Sequence, residues 1–205
     1  MVGMKWLVGI DEAGRGPLAG PVAVAVFAIL DRSSTSIQKV LRVAEVKDSK
    51  KLSEGKREEV YGRLCELRDA GEVLFACSLV SARVIDKVGI TKAVKIALAR
   101  SLQKLALCPR DCDVRLDGLL RAPSVYKKQR TIIRGDDTVS AISAASIVAK
   151  VTRDRYMRKL AKKYPDYVFQ KHKGYGTKSH YDLILANGLC ALHRRSYLSK
   201  IRTLA

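Results

Sequence analysis

Residues 9–17 constrain the fold most strongly, because two adjacent carboxylates, Asp11 and Glu12, end an apolar stretch and a Gly-Arg-Gly segment follows at once. Side chains alternate along a strand, so a strand over residues 5–10 predicts that Asp11 and Glu12 point to opposite faces unless the backbone turns there. A second apolar run at 22–30 follows a Gly/Pro-rich connection, and the two runs predict an antiparallel hairpin with a long loop. The alternative for an isolated Asp-Glu pair is a solvated turn.

Helix and strand patterns alternate along the rest of the chain. The first predicted helix begins after the cap residue Ser53 and ends before Gly71. Three further predicted helices span residues 91–107, 140–164 and 177–187. The predicted strands span residues 73–80, 114–117 and 131–134. This alternation predicts an α/β fold. Because Pro165 disfavours a continued helix, we predict a border there, between an α/β body at residues 1–164 and a helical extension at residues 165–205.

The charge balance points to a polyanionic partner. The 205 residues include 39 Lys and Arg against 20 Asp and Glu, a formal net charge of +19 at pH 7. Residues 151–205 hold 13 Lys or Arg and 3 Asp, so the charge is concentrated in one part of the chain. Self-repulsion would destabilise the compact state unless a polyanion sits alongside, and nucleic acid is the expected partner. A solvated basic face is the alternative.

Cysteine usage and hydropathy bear on the compartment. The five cysteines are an odd number without paired metal-ligand spacing, so we expect reduced thiols. Cys108 and Cys112 could pair or share a metal, but no second Cys or His pair accompanies them. The N-terminal apolar run is too short for a secretory signal, and the longest apolar run, residues 22–30, is too short to cross a bilayer. We expect a cytoplasmic protein with no membrane contact.

Two further acidic residues lie where predicted strands meet glycines. Asp117 precedes Gly118, and Asp136 follows Gly135. Each could be an ordinary turn aspartate, but functional sites gather at strand ends in α/β sheets. Clustered carboxylates repel, by roughly 4 kcal/mol at about 4 Å and an effective dielectric near 20, and divalent cations remove that cost. Oxygen ligands without His or Cys favour Mg²⁺ or Mn²⁺, which in pairs serve phosphodiester hydrolysis, so these residues indicate a metal-dependent nuclease.

Five motifs in order make the chain similar to the ribonuclease HII family. They are GIDEAGRGP at 9–17, DSKKL at 48–52, RGD at 134–136, ISAASI at 142–147 and HKGYGT at 172–177. The resemblance covers nearly the whole chain. It implies an RNase H-like mixed five-stranded sheet flanked by helices, with a helical C-terminal extension. It also implies an endoribonuclease that cuts 5′ of a ribonucleotide in RNA/DNA hybrids and at RNA–DNA junctions, including single ribonucleotides embedded in duplex DNA.

The resemblance also implies the chemistry of the site. The catalytic and metal-binding carboxylates carried over by position are Asp11, Glu12, Asp117 and Asp136. Asp137 would be a neighbour, and Asp11 the bridging ligand. Two Mg²⁺ or Mn²⁺ ions would bracket the scissile phosphate, one activating water and the other stabilising the departing 3′-oxygen. The products would carry a 5′-phosphate and a 3′-hydroxyl.

Substrate recognition is assigned in the same way. The family reads the 2′-hydroxyl with residues that fall here on Gly14, Arg15, Gly16 and Tyr175. Lys50 and Arg194 are candidate phosphate contacts, with an ordinary charged surface as the alternative. For Tyr175 the alternative is a half-buried packing tyrosine. The spacing of the three histidines does not support a metal site, so we expect phosphate contact or packing for them.

Two other functions remain open from the sequence. A non-catalytic nucleic-acid binding module would use the acidic residues only as turn formers. Ribonuclease HIII, the sister family, carries an extra N-terminal domain and a glutamate as its last acidic ligand, whereas the first strand here begins near Trp6 and Asp136 fills that position. We expect a monomer, and residues 196–205 contain no evident sliding-clamp peptide.

Overall fold

The structure, a computed structural model, describes residues 6–30, 52–118 and 120–199. The strands are β1 (Trp6–Ala13), β2 (Val22–Leu30), β3 (Val73–Val80), β4 (Cys112–Asp117) and β5 (Gln129–Ile132). They form one five-stranded sheet in the order β3-β2-β1-β4-β5. β1, β2 and β3 pair antiparallel, whereas β4 runs parallel to β1 and to β5. The mixed sheet and the β1–β2 hairpin are therefore confirmed.

Helices cover both faces of this sheet. They are α1 (Glu54–Asp69), α2 (Ala82–Val88), α3 (Ile90–Leu105), α4 (Gly135–Thr138), α5 (Ser140–Ala161), α6 (Phe169–His172) and α7 (Lys178–Asn187). The predicted cap is present, because Ser53 Oγ accepts a hydrogen bond from the amide of Lys56 at 3.2 Å. The short helices α2, α4 and α6 were not predicted as separate elements, and β5 begins two residues earlier than predicted.

The register of the sheet decides which face each acidic residue occupies. Ile10 on β1 pairs with Leu116 on β4, and both side chains belong to the core cluster that packs against α3. Because side chains alternate along strands, Asp11 and Asp117, one residue further on, face the other side of the sheet. That side is covered by α5.

Small residues let α5 approach β1 closely. A Cβ atom on Gly9 would overlap the backbone of Ala141 in the first turn of the helix. The buried face of α5 is correspondingly rich in alanine and serine. The close approach brings the hydroxyl groups of α5 within reach of the carboxylates at the strand ends.

The C-terminal segment packs onto the loop that joins β1 to β2, residues 14–21. The amide of Leu18 donates to the carbonyl of Gly174 at 2.8 Å, and the amide of Arg194 donates to the carbonyl of Leu18 at 2.7 Å. These backbone bonds attach residues 165–199 to the β1–β2 loop. The domain border at residue 164 stays a prediction.

Two expectations about the whole chain can be compared with the described residues. All five cysteines are free thiols. In the described ranges, no helix has the length and apolar character needed to cross a membrane.

Candidate active site

Asp11 is a buried carboxyl group near the end of β1, with a side chain only 3% exposed. Burial, together with the charges of Glu12 and Asp117, raises its pKa to about 8, although a hydrogen bond with the Ser146 hydroxyl on α5 opposes this rise. Oδ1 accepts a hydrogen bond from the Glu12 amide at 2.7 Å. Oδ2 is also buried, but it has no hydrogen-bond partner among the residues that the structure describes. A buried, unpaired carboxylate oxygen of this kind is suited to a cation.

Asp117 stands beside Asp11 at the end of the neighbouring parallel strand. Its charge contributes to the raised pKa of Asp11, which places the two carboxyl groups within electrostatic reach. Its Oδ1 accepts a hydrogen bond of 2.8 Å from the amide of Gly135. The structure therefore brings these two predicted ligands together on the face covered by α5.

Asp136 lies in the short helix α4 and is buried. Its backbone carbonyl accepts a hydrogen bond from the Ser143 hydroxyl, which ties α4 to the first turn of α5. Asp137 has a different role, because its carboxylate pairs with Arg134 Nε at 3.2 Å toward the surface. The burial of Asp136 agrees with its assignment as the functional residue of the pair.

Glu12 leaves the extended strand β1 on the opposite face from Asp11. Its carboxylate nevertheless stays within electrostatic reach, because its charge contributes more than that of Asp117 to the raised pKa of Asp11. Its Oε1 accepts from Arg15 Nη1 at 3.3 Å. Within the described ranges, no group of three or more His, Cys, Asp or Glu side chains is arranged to hold a metal ion.

The donor chemistry nonetheless fits a hard divalent cation. The side chains that meet are carboxylates, and oxygen donors of this kind are the ligands that Mg²⁺ and Mn²⁺ prefer. A cation beside Asp11 would offset both causes of its raised pKa, burial and the neighbouring negative charges.

The two glycines of the Gly-Arg-Gly segment have different surroundings. Gly14 has φ of +91°, and a Cβ atom there would overlap the side chain of Arg153 and lie 2.9 Å from the Pro21 carbonyl oxygen. Around Gly16, a Cβ atom would meet nothing within 4 Å. Gly14 is therefore required by the fold, whereas the Gly16 backbone faces open space that another molecule could occupy.

Tyr175 is an exposed ring above two cations. Its side chain is 40% exposed. Lys150 Nζ lies 5.6 Å and Arg153 Cζ 5.5 Å from the ring centroid, and both residues belong to α5. An aromatic surface held in place by cations and open to solvent is typical of a platform for a sugar or base.

Arg194 was expected at a phosphate, and that prediction is wrong. Its side chain is fully buried. Its guanidinium donates to the carbonyl oxygens of Gly14 at 2.6 Å, Arg15 at 2.8 Å and Gly20 at 3.0 Å. All three nitrogens are used inside the protein, so none is presented to a phosphate. Lys50, the other candidate phosphate contact, lies outside the described residues.

The histidines pack in the interior of the C-terminal segment. His180 and His193 are buried, and their Nε2 atoms are 3.2 Å apart. Burial lowers the pKa of each to about 4, so both are neutral at pH 7. His172 stacks on His180 with ring centroids 4.1 Å apart. Of the two expected roles, phosphate contact and packing, the structure therefore supports packing.

Three residues of α5 were not recognised as functional from the sequence. Ser143, Ser146 and Arg153 contact Asp136, Asp11 and the β1–β2 loop respectively. Their spacing of three and seven residues places them along one side of the helix, and this periodicity was the available signal.

Comparisons with known proteins agree with this geometry. A family model described as ribonuclease HII matches residues 8–200. A ribonuclease HII of Caldicellulosiruptor bescii is 39% identical over 203 residues, which cover 98% of this chain and 91% of that protein. The ribonuclease H2 structure from Pyrococcus horikoshii OT3 has a TM-score of 0.74 at 25% identity, covering 97% of this chain and 98% of that one. RNase HII in its complex with PCNA from Archaeoglobus fulgidus has a TM-score of 0.72 at 26% identity, covering 92% and 93%.

The matched region contains Asp11, Asp117 and the segment around Tyr175. Sequence similarity, fold and site geometry therefore converge. The chain belongs to the ribonuclease HII family and is a metal-dependent endoribonuclease that acts on RNA/DNA hybrids.

Proposed function

We propose that the protein hydrolyses the phosphodiester on the 5′ side of a ribonucleotide, in RNA/DNA hybrids and at RNA–DNA junctions that include single ribonucleotides in duplex DNA. The products would carry a 5′-phosphate and a 3′-hydroxyl. The observation that carries this proposal is the buried Asp11 carboxyl group beside Asp117, with one oxygen that has no partner among the described residues.

The proposed metal ligands are the four carboxylates at Asp11, Glu12, Asp117 and Asp136. Mg²⁺ or Mn²⁺, two ions per site, would supply a Lewis acid for the phosphate and acidify a water molecule. A cation would stabilise the ionised form of Asp11, whose pKa of about 8 otherwise favours the neutral acid. The pairing of Asp137 with Arg134 leaves Asp136 as the residue of that pair for this role.

Recognition of the ribose would fall to the β1–β2 loop and Tyr175. The open space beside Gly16 allows a sugar to approach the backbone, and Arg15, partly exposed, adds a positive charge there. Tyr175 offers its ring to the sugar that follows the ribonucleotide. Lys50 is retained as a phosphate contact on the strength of its motif alone. One chain carries all these residues, so the proposal needs no second copy, and a cytoplasmic location fits the substrate.

A non-catalytic binding module explains fewer of these features. Such a protein has no need for a carboxyl group at 3% exposure whose ionisation is opposed by two neighbouring carboxylates. Burial of this sort costs stability and is typical of functional sites.

The test is cleavage of duplex DNA that carries one ribonucleotide, measured with Mg²⁺, with Mn²⁺ and with EDTA. We expect a single nick 5′ of the ribonucleotide that requires either cation. Asp11→Asn should bind the duplex without cutting it. Asp113→Asn is the matched control, because it changes an exposed aspartate of β4 that pairs with Arg115. Cleavage by Asp11→Asn at the rate of the unchanged protein would contradict the metal site.

A further inference from the structure

Two buried arginines donate hydrogen bonds to the backbone of the β1–β2 loop. Arg194 donates to the carbonyl oxygens of Gly14, Arg15 and Gly20. Arg153, also fully buried, donates from Nε to the carbonyl of Pro21 at 2.9 Å and from Nη2 to that of Ala19 at 3.3 Å. Five of the eight loop residues 14–21 thus give their carbonyl oxygen to one of two guanidinium groups. We call Arg153 and Arg194 the arginine clamp.

The clamp also connects the loop to the platform tyrosine. Arg153 Nη2 donates a second bond, of 3.0 Å, to the carbonyl of Lys173, two residues before Tyr175. Its Cζ atom lies 5.5 Å from the Tyr175 ring. One side chain therefore contacts both segments that the proposed function assigns to ribose recognition, although 158 positions of the chain separate Lys173 from Arg15.

The segment that carries Arg194 makes further contacts with α2 and with the loop. Asp86 on α2 accepts hydrogen bonds from the amides of Arg195 and Ser196, at 2.9 and 3.0 Å. Tyr197 donates its hydroxyl to the Arg15 carbonyl at 3.0 Å, and its ring lies 5.2 Å from Arg194 Cζ. The segment that carries Arg194 is therefore fixed both to the sheet-covering helices and to the loop.

Burying these two arginines costs free energy of folding, which is explained if their role is to fix the geometry of the loop. The two guanidinium groups are close enough that Arg194 contributes to lowering the pKa of Arg153, to about 10, with burial as the main cause. Burying two neighbouring positive charges opposes folding. A planar guanidinium can donate several bonds in fixed directions, which a lysine ammonium cannot reproduce.

We propose that Arg153 and Arg194 are positioning residues for substrate selection, which fix the Gly14–Arg15–Gly16 backbone relative to Tyr175 so that a single 2′-hydroxyl is read. The inference rests on the proposed function, because it assigns the clamp to the same ribose site. Neither arginine touches the reacting atoms. Each acts through the backbone it holds.

The experiment measures binding and cleavage separately. Arg153→Lys and Arg194→Lys keep the positive charge but lose the directional bonds. Their affinity is compared for duplex DNA with and without one ribonucleotide, in EDTA, and their kcat/KM is measured with Mg²⁺ on that duplex and on a long RNA/DNA hybrid. Arg155→Lys is the matched control, since Arg155 lies on the same helix and pairs at the surface with Glu58.

We expect both clamp variants to lose the binding preference for the ribonucleotide. We also expect kcat/KM on the single-ribonucleotide duplex to fall by about tenfold to a hundredfold, the effect of displacing a positioned group by about 1 Å. The loss should be larger than on the long hybrid, and the Mg²⁺ concentration for half-maximal rate should not change. Tyr197→Phe, which removes one bond to the Arg15 carbonyl, should show the same preference loss on a smaller scale, even where the arginine variants fail to fold.

Two results would overturn the proposal. One is a folded clamp variant, or a folded Tyr197→Phe, that keeps the full preference for the ribonucleotide. The other is an equal loss on both substrates that follows the folded fraction measured by circular dichroism, because a merely structural role predicts that pattern. If the unchanged protein bound the ribonucleotide selectively but did not cut it, the proposed hydrolysis would fail while the binding test of the clamp remained decisive.

Discussion

Gly135 donates its backbone amide to the carboxylate of Asp117 across 2.8 Å, which joins the end of β4 to the turn that carries Asp136. The residue directly before one proposed metal ligand is thus held by the side chain of another. Asp117 therefore has two functions, as a charge beside Asp11 and as the acceptor that fixes α4.

These two functions can be separated by two substitutions of Asp117. Asp117→Asn keeps an oxygen that can accept from Gly135, whereas Asp117→Ala leaves that amide without its acceptor. We expect both variants to lose cleavage, but only Asp117→Ala to lose stability, by about 1–2 kcal/mol. Urea unfolding in EDTA measures the difference. Equal stability of the two variants would mean that the bond to Gly135 does not hold the turn.

The buried charge of Asp11 should make the metal-free protein less stable as pH rises. Its pKa is about 8 in the folded protein against an ordinary value of 3.8, so the folded state binds the proton more tightly. The contribution of this proton to the free energy of unfolding is therefore complete below about pH 4 and is lost as pH rises toward 8. Asp11→Asn lacks this titration, and its advantage over the unchanged protein should grow by roughly 2–4 kcal/mol between pH 5 and pH 8.

The measurement is the free energy of unfolding across this pH range with EDTA present. Asp113→Asn, an exposed change on β4, should follow the unchanged protein at every pH. Stability curves of Asp11→Asn and the unchanged protein that run parallel would contradict the raised pKa.

The two loop glycines should respond to alanine in opposite ways. Gly14→Ala places a methyl group against Arg153 at a φ that favours glycine, and should cost at least about 2 kcal/mol of stability. Gly16→Ala enters open space, so its stability should change by less than about 0.5 kcal/mol. Its methyl group would nevertheless stand where the ribose approaches. We expect a fall of about tenfold or more in cleavage of the single-ribonucleotide duplex by a fully folded Gly16→Ala protein.

Local patterns explain how much of this site could be predicted from the sequence. The strands of the hairpin and the position of Asp117 follow from apolar runs and the residues that end them, which are local features. The convergence of Asp11 and Asp117 then follows from parallel pairing of β1 with β4. The strand positions needed no knowledge of distant contacts, whereas the pairing of Ile10 with Leu116 joins distant segments and was expected only from the resemblance to the family.

Arg194 could not be placed in this way. An arginine near a basic C-terminus is usually exposed, and nothing adjacent to it in sequence indicates burial. Its hydrogen-bond acceptors are the carbonyls of residues 14, 15 and 20, about 180 positions earlier. The helix α2 was missed for a related reason, because seven residues are too few to display a helical period.

Tyr175 should affect substrate choice more than stability. Its ring is exposed and rests on Lys150 and Arg153, so Tyr175→Ala should change the free energy of unfolding by less than about 1 kcal/mol. We expect kcat/KM on the single-ribonucleotide duplex to fall by about tenfold or more, the value of one stacking contact. The kcat/KM of Tyr175→Phe, which keeps the ring, should fall less. Wild-type selectivity in Tyr175→Ala would remove this residue from recognition.

One arrangement of protons satisfies the contacts of the buried histidines. The Cys190 amide donates to His193 Nδ1 at 3.0 Å, so His193 carries its proton on Nε2 and donates it to His180 Nε2. His180 in turn donates from Nδ1 to the Tyr175 carbonyl at 2.9 Å. A proton added to His180 would place two donors against each other at 3.2 Å. The neutral pair is therefore required for the hydrogen bond between His193 and His180.

Acid should lower the free energy of unfolding by favouring protonation of His180 and His193. The pKa of each histidine is about 4 in the folded protein, below its ordinary value of 6.5, so the unfolded chain binds protons more readily. The stabilisation is present above pH 6.5 and is lost as pH falls toward 4, by about 2–3 kcal/mol between pH 6.5 and pH 5. Urea unfolding at these two pH values measures the loss. His193→Gln, which cannot be protonated, should lose clearly less over the same interval, and an equal loss in both proteins would assign the acid sensitivity to other groups.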